Sequence, residues 1–234
     1  MSVTQDRRFT KVKIAEILDN AVGKTLGEVD AVGSHQFDRT LKNPKITGIA
    51  GDVIEQSVFG YARDANQECD IEIDGTLVEL KTTGVRVPKS EFMIAQKKTG
   101  ADYNLHLGAK EGISITAVTL EPTIQTEFIT SHFWEKAKRI LIVFYEYKSY
   151  EAVPASEYAN FPIVGYCLNT FSESEQRQLR RDWEIIRDYL KVHYDKYSNP
   201  EERRDNLVGF THNLRPDLLL SLIHISEPTR RTPI

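Results

Sequence analysis

The chain has 234 residues, with 30 Lys and Arg against 34 Asp and Glu, a net charge of −4. Apolar residues make up 40% and charged residues 27%, which excludes wholesale disorder. A uniformly basic nucleic-acid coat is excluded too, whereas a basic groove on an acidic body is compatible with the balance. Two distant cysteines, Cys69 and Cys167, exclude a disulfide scaffold and a Cys-rich zinc site and fit a reducing compartment.

The opening MSVTQDRRFT lacks the apolar stretch of a secretory signal. The longest apolar run, 140–145, is too short to span a bilayer, so a cytoplasmic protein without a membrane partner is expected. Residues 9–22 predict an amphipathic helix with Val12, Ile14, Ile17 and Leu18 on one side. Residues 31–49, rich in turn formers and charge, predict a loop. A second helix is predicted over 51–63, burying Val53, Ile54, Val58 and Phe59, with Glu55 near its first turn.

CDIEID and TLVELKTT each alternate apolar and polar residues on either side of Asp74-Gly75, a strong hairpin signal. In the second strand Leu77, Glu79 and Lys81 share one face, and Val78 and Leu80 the other. Thr82-Thr83-Gly84 is expected to end or bend that strand. Residues 84–111 predict a long polar loop or arm, 113–118 a strand, 131–139 a short helix and 140–147 a central strand buried on both faces. Ser172 and Glu175 have capping-box spacing and open a long helix in which Leu179, Trp183, Ile186 and Leu190 recur at helical period. Helices and strands interleave, so an α/β or α+β fold with a mixed sheet is expected. The tail from about Ser221, SLIHISEPTRRTPI, matches nothing before it and resembles translated sequencing-adapter sequence. Residues 221–234 are therefore expected to be non-native and are set apart from the fold.

The chemistry concentrates in Asp70, Glu79 and Lys81, spaced D-x(8)-E-x-K across the hairpin. Two carboxylates at the ends of adjacent strands can hold a hard cation such as Mg²⁺. The E-x-K spacing sets Lys81 on the face of Glu79, roughly 6–7 Å along the strand. A lysine there can position or deprotonate an attacking water, while the metal polarises a phosphoryl oxygen and lowers the water's pKa. E-x-K alone is weak, because a chain of this length holds roughly one by chance. Glu146-Tyr147-Lys148 is another, and an ion pair on a strand is the plain alternative for both. Asp70 upstream on the hairpin and the Glu55 helix before it set the first apart. All three residues are expected at strand ends, outside the core.

In order along the chain stand NAVGKTLGEVD (20–30), GDVIEQSVFG (51–60), VELKTT (78–83), HFWEK (132–136), IVFYEY (142–147), DWEIIRDYL (182–190) and GFTHNLRP (209–216). On these blocks the chain resembles the family containing the mismatch-repair nicking endonuclease MutH and GATC-cutting type II restriction endonucleases. The resemblance implies a restriction-endonuclease-like PD-(D/E)XK fold, a mixed five-stranded sheet flanked by helices, in a domain spanning 1–220. It implies a Mg²⁺-dependent endonuclease on double-stranded DNA at GATC-type sites. A type II restriction enzyme with a cognate methyltransferase, a mismatch-repair nicking enzyme and an inactive DNA-binding module are the competing forms; the FYEY and DWEII blocks look closer to restriction.

Residue by residue, Asp70, Glu79 and Lys81 match the catalytic acidic pair and lysine, and the Leu80 backbone carbonyl joins the two carboxylates at the metal. Glu55 matches a helical glutamate supporting that site; it would otherwise be a first-turn glutamate favoured by the helix dipole. Lys136 matches a lysine that approaches the scissile phosphate, or else is a solvated charge beside Lys138 and Arg139. Arg215 and Pro216 match a base-reading loop, in which arginine donates to guanine O6 and N7, or else touch only phosphate. Asp217 departs from the basic or small polar residue expected there, and the Asp70-to-Glu79 gap is slightly long. The arm residues Arg86, Lys89, Lys97, Lys98 and Lys110, interleaved with Phe92 and Tyr103, suit phosphate contacts with a duplex or plain solvation.

Overall fold

The computed structural model describes residues 7–62, 69–89, 107–113, 115–116, 120–203 and 206–207. These fall into two compact units. The first is built from residues up to Glu111 and from Leu141–Asn169; the second from Gly112–Ile140 and from residues beginning at Thr170.

The first unit carries a mixed sheet of six strands, among them β1 (Arg8–Phe9), β2 (Ile71–Ile73), β3 (Thr76–Arg86), β5 (Ile140–Glu146) and β6 (Ile163–Asn169), in that spatial order. β4 (Gly108–Ala109) pairs with the far end of β3. β1 runs parallel to β2, and β2 antiparallel to β3. The β2–β3 turn is the predicted Asp74-Gly75. Both residues have positive φ, 47° and 76°, as a two-residue hairpin turn that follows strand twist demands.

Helices α1 (Lys11–Ala21), α2 (Leu26–Ala31), α3 (Asp38–Lys42) and α4 (Ile49–Val53) precede the hairpin. Ile14 and Leu18 of α1, Leu26 and Val29 of α2 and Val53 of α4 share one core with Ile71, Ile73, Val78, Leu80, Leu141 and Val143. β5 is buried on both faces, as its unbroken apolar run predicts. The predicted 51–63 helix starts earlier and ends earlier, and it changes pitch. After α4, residues Ile54–Val58 form a π-helical stretch, closed by the Phe59 N–H on the Ile54 carbonyl at 3.0 Å. Such stretches are rare in helices and concentrate at functional sites.

Three further expectations change. Residues 31–49, expected as a loop, carry the short helix α3. β3 does not end at Thr82-Thr83-Gly84 but runs on to Arg86. Gly84 makes this possible: a Cβ there would meet the Tyr145 ring at 3.2 Å, so glycine lets the strand lie against that aromatic. The strand expected over 113–118 is not formed by its described residues 113, 115 and 116.

The second unit contains α5 (Leu120–Gln125), α6 (His132–Ala137), α7 (Glu173–His193) and α8 (Pro200–Arg203). Leu120, Leu190 and Leu207 form one of its cores, and Phe128, Leu179 and Trp183 another. α7 starts where the spacing predicts, with Ser172 and Glu175 in a complete capping box. Among the described residues no helix is long and apolar enough to cross a membrane. The proposed adapter-like tail lies outside the described residues.

Candidate active site

The site grows from the hairpin register. Ile71 pairs with Val78 and Glu72 with Leu77. One step further along the same register would set Asp70 opposite Glu79, but the ladder stops at Ile71. Asp70 turns instead, and its Oδ2 accepts the Leu80 N–H at 2.8 Å. In an antiparallel ladder a residue's N–H and C=O point to the same neighbour. The Leu80 carbonyl therefore faces the same edge of β3 as the Asp70 carboxylate.

Glu79 is 1% exposed. This corrects the expectation that all three residues are strand-end groups outside the core: Glu79 is a buried charge in mid-strand. A carboxylate taken out of water needs a counter-charge. Lys81 supplies one, with Nζ 2.7 Å from Glu79 Oε1 and its side chain 24% exposed. The second E-x-K triplet behaves differently. Glu146 ends β5, Lys148 is exposed, and no ion pair joins the two.

Glu55 sits in the π-helical stretch and is half-buried. Its backbone carbonyl accepts the Tyr61 N–H at 3.3 Å. The Tyr61 side chain reports on what surrounds it. Burial first, then the Glu55 and Asp70 carboxylates and, more weakly, Glu79, hold its hydroxyl far above the ordinary tyrosine range, against the opposing Arg7. The three carboxylates act on this phenol in the same direction as burial, the larger cause.

A polar network that sequence reasoning missed fixes the Glu55 stretch. Asp30, 3% exposed, accepts the Gln36 N–H and the Ser57 hydroxyl on Oδ1, at 2.8 and 2.6 Å, and the Phe37 N–H on Oδ2 at 2.8 Å. Ser57 and Ser34 share a 2.7 Å hydroxyl contact, and Arg39 pairs with buried Asp52 at 2.6 Å. Asp30 closes the 20–30 block and Ser57 lies within the 51–60 block, which was the available signal. Tyr61, just past the second block, carried none.

Lys136 belongs to the second unit, buried near the end of α6, where it helps hold the His132 imidazole below its usual range after desolvation. Arg86 donates to the Ser149 carbonyl at 3.0 Å and lies 5.2 Å from the centre of the Tyr150 ring. Lys110 sits over Tyr147 at 4.3 Å and pairs with Glu111 at 3.4 Å, while Lys89 is exposed. Lys97, Lys98, Arg215 and Pro216 lie outside the described residues.

Among the described residues no three His, Cys, Asp or Glu side chains form a metal cluster. Two carboxylates and a main-chain carbonyl are nonetheless the donor set that suits Mg²⁺, which retains waters and draws further oxygens from substrate phosphate. An all-oxygen donor set of this kind suits a hard cation better than a soft one.

An α/β sheet with two carboxylates and a lysine at one hairpin edge has the equipment for metal-assisted phosphodiester hydrolysis. Comparison with protein families matches residues 59–182 to the DNA mismatch repair enzyme MutH, just over half of the chain, and the chain belongs to that family. Membership supports a nuclease that acts on DNA. Comparison with curated proteins returns no match.

Proposed function

We propose that this chain is a Mg²⁺-dependent endonuclease that hydrolyses phosphodiester bonds of double-stranded DNA at GATC-type sites, working as a type II restriction enzyme beside a cognate methyltransferase. The reading takes 1–220 as the endonuclease domain. Its chief support is the buried Glu79 carboxylate, paired at 2.7 Å with Lys81 and adjacent in register to Asp70. A strand built only for stability gains little from a buried charge, because burying one is costly even when it is paired.

Asp70, Glu79 and the Leu80 carbonyl would hold the cation, which when bound supplies Lewis-acid polarisation and a more acidic water. Lys81, a compact charge on a flexible stem, can leave Glu79 to orient the attacking water or to meet the charge that develops on the phosphate. Glu55 adds negative potential from the helical side. Arg215 and Pro216 are proposed for base reading, and Lys89, Lys97, Lys98 and Lys110, with Arg86, for phosphate contacts.

The family's description as a mismatch-repair enzyme favours a second reading, single-strand nicking at the same sites. Supercoiled plasmids with and without GATC, incubated with Mg²⁺, separate the two. Linear product from the GATC plasmid supports restriction, and accumulating open circles support nicking. Equal cleavage in EDTA, or full activity of Glu79→Gln, would refute both.

A further inference from the structure

Asp52, Gln56 and Ser57 belong to one helical run, and one segment, residues 30–39, binds all three. Asp52 Oδ2 accepts from Arg39 at 2.6 Å, the Gln56 and Gln36 side-chain amides meet at 3.3 Å, and Ser57 donates to Asp30 Oδ1 at 2.6 Å. In an α-helix, residues five apart point roughly 140° away from each other. Asp52 and Ser57 reach the same segment because the run widens to π pitch over Ile54–Val58.

Ser57 closes this arrangement. Its single proton goes to Asp30, so in the 2.7 Å contact between hydroxyls Ser34 is the donor. The Ser34 N–H reaches the same Ser57 oxygen at 3.1 Å. Asp30 is in turn fixed by the Gln36 and Phe37 N–H groups, both at 2.8 Å. Gly33 allows the close approach, since a Cβ there would lie 2.5 Å from Ser57 Cβ. A hydroxyl with its donor and both lone pairs used, on a carboxylate that is itself held, has one pose. π-helical turns are rare, so a stretch that keeps one needs partners that hold it.

The pitch sets the direction of Glu55, which lies inside the wide turn, two residues before Ser57. Val53 and Ile54 pack in the core that takes Val78 and Leu80 of β3. With those two side chains fixed, a return to α pitch would turn the residues after them about the helix axis, Glu55 among them. It would thereby move relative to the strand that carries Glu79 and Lys81. We propose that Asp30 and Ser57 are positioning residues, which hold the π turn and so set the direction of the Glu55 carboxylate. The inference rests on the reading of Glu55 as support for the hairpin site, given above.

The test is Ser57→Ala, which removes one oxygen and leaves Asp30 its two N–H donors. Ser34→Ala, a milder change at an exposed position, withdraws only one donor from Ser57. Amide exchange of Phe59 and Tyr61, measured in EDTA without DNA, reports the pitch, because these N–H groups bond to the Ile54 and Glu55 carbonyls. Exchange should be about 5-fold faster in Ser57→Ala, the factor expected for one lost hydrogen bond. With Mg²⁺ and a GATC duplex, at a temperature where urea titration shows the variant folded, kcat should fall about 10- to 100-fold with KM unchanged. Ser34→Ala should move both in the same direction by less. Unchanged exchange in Ser57→Ala overturns its hold on the pitch. Faster exchange with full kcat overturns the positioning role, and so does a loss no larger than the unfolded fraction. Glu55→Gln separates the two layers. If it cleaves fully, the reading of Glu55 fails and this inference goes with it; if it is inactive while Ser57→Ala is not, only this inference fails.

Discussion

Lys81→Met isolates the electrostatic core of the site. Methionine keeps most of the apolar stem and removes the ammonium 2.7 Å from Glu79 Oε1. At an effective dielectric constant of about 20, a unit pair at that distance attracts by about 6 kcal/mol before desolvation is counted. Lysine is 24% exposed and returns part of that on regaining water, whereas Glu79 at 1% cannot. Removing one partner of a fully buried pair costs about 3–5 kcal/mol, so a partly exposed lysine puts the loss near 2–3 kcal/mol. Urea unfolding in EDTA should show that loss as a lower midpoint with an unchanged slope. Glu79→Gln combined with Lys81→Met should recover most of it, because the stranded charge is then gone. Added Mg²⁺ should stabilise Lys81→Met more than the unmodified protein, since a bound cation then supplies the missing counter-charge; saturation to about 100 times Kd is worth about 2.7 kcal/mol. Glu146→Gln, the matched control, should stay within about 0.5 kcal/mol. An unfolding midpoint for Lys81→Met equal to that of the unmodified chain in EDTA would show that Glu79 does not depend on the lysine, and the electrostatic argument would fall.

Gly33→Ala should cost about 1–3 kcal/mol and reduce plasmid cleavage, because the new Cβ would lie 2.5 Å from Ser57 Cβ and 2.7 Å from Ser57 Cα, pushing away the stretch that bears Glu55. Gly51→Ala, which meets no atom within 4 Å, should instead gain roughly 0.5–1 kcal/mol as helix propensity dictates. Ser172→Ala opens the capping box of α7 and should lower stability by about 1 kcal/mol in urea titrations, with amide exchange faster in its first turn. Desolvation, with help from Lys136, lowers the His132 pKa in the folded state, against Glu135. The unfolded chain therefore binds more protons as pH falls below about 6.5, and the stability present above that value is progressively lost. His132→Gln should flatten that part of the pH profile.

The elements legible in sequence are those whose signal is local. The hairpin announces itself through alternation and Asp74-Gly75, α7 through its cap and repeat, and β5 through an apolar run that only a doubly covered strand tolerates. The continuation of β3 past Thr83 was hidden, because Gly84 reads as a breaker until the Tyr145 ring beside it is known. The π-helical stretch was hidden too: one extra residue per turn leaves the apolar set Val53, Ile54 and Phe59 looking like an ordinary helix face. Strand β6 and the Asp30–Ser57 bond depend on partners distant in sequence, 27 residues apart for the latter. At the candidate site the pattern put Glu79 outside the core, whereas it is buried. Spacing sets the face a side chain shares, whereas burial is decided by what covers that face.

How each buried carboxylate in the first unit is held separates scaffold from chemistry. Asp30 receives two backbone N–H groups and a serine hydroxyl, a set fixed by the loop that follows it and by Ser57. Asp52 meets Arg39, a planar guanidinium that also donates to Gln36 at 2.9 Å and so is oriented by two partners at once. Each arrangement resists exchange, because changing it would strand several donors. Glu79 faces a lysine on its own strand, a single point charge on a four-carbon stem with its tip partly in water. Withdrawing that ammonium needs one rotamer change and no backbone movement. Asp70, with one oxygen anchored on the Leu80 N–H, cannot follow the lysine outward. The fold thus holds Asp30 and Asp52 with backbone, hydroxyl and guanidinium donors, and gives Glu79 a lysine that a rotamer change can withdraw. That difference in mobility supports the proposal that a cation binds at the Asp70–Glu79 edge.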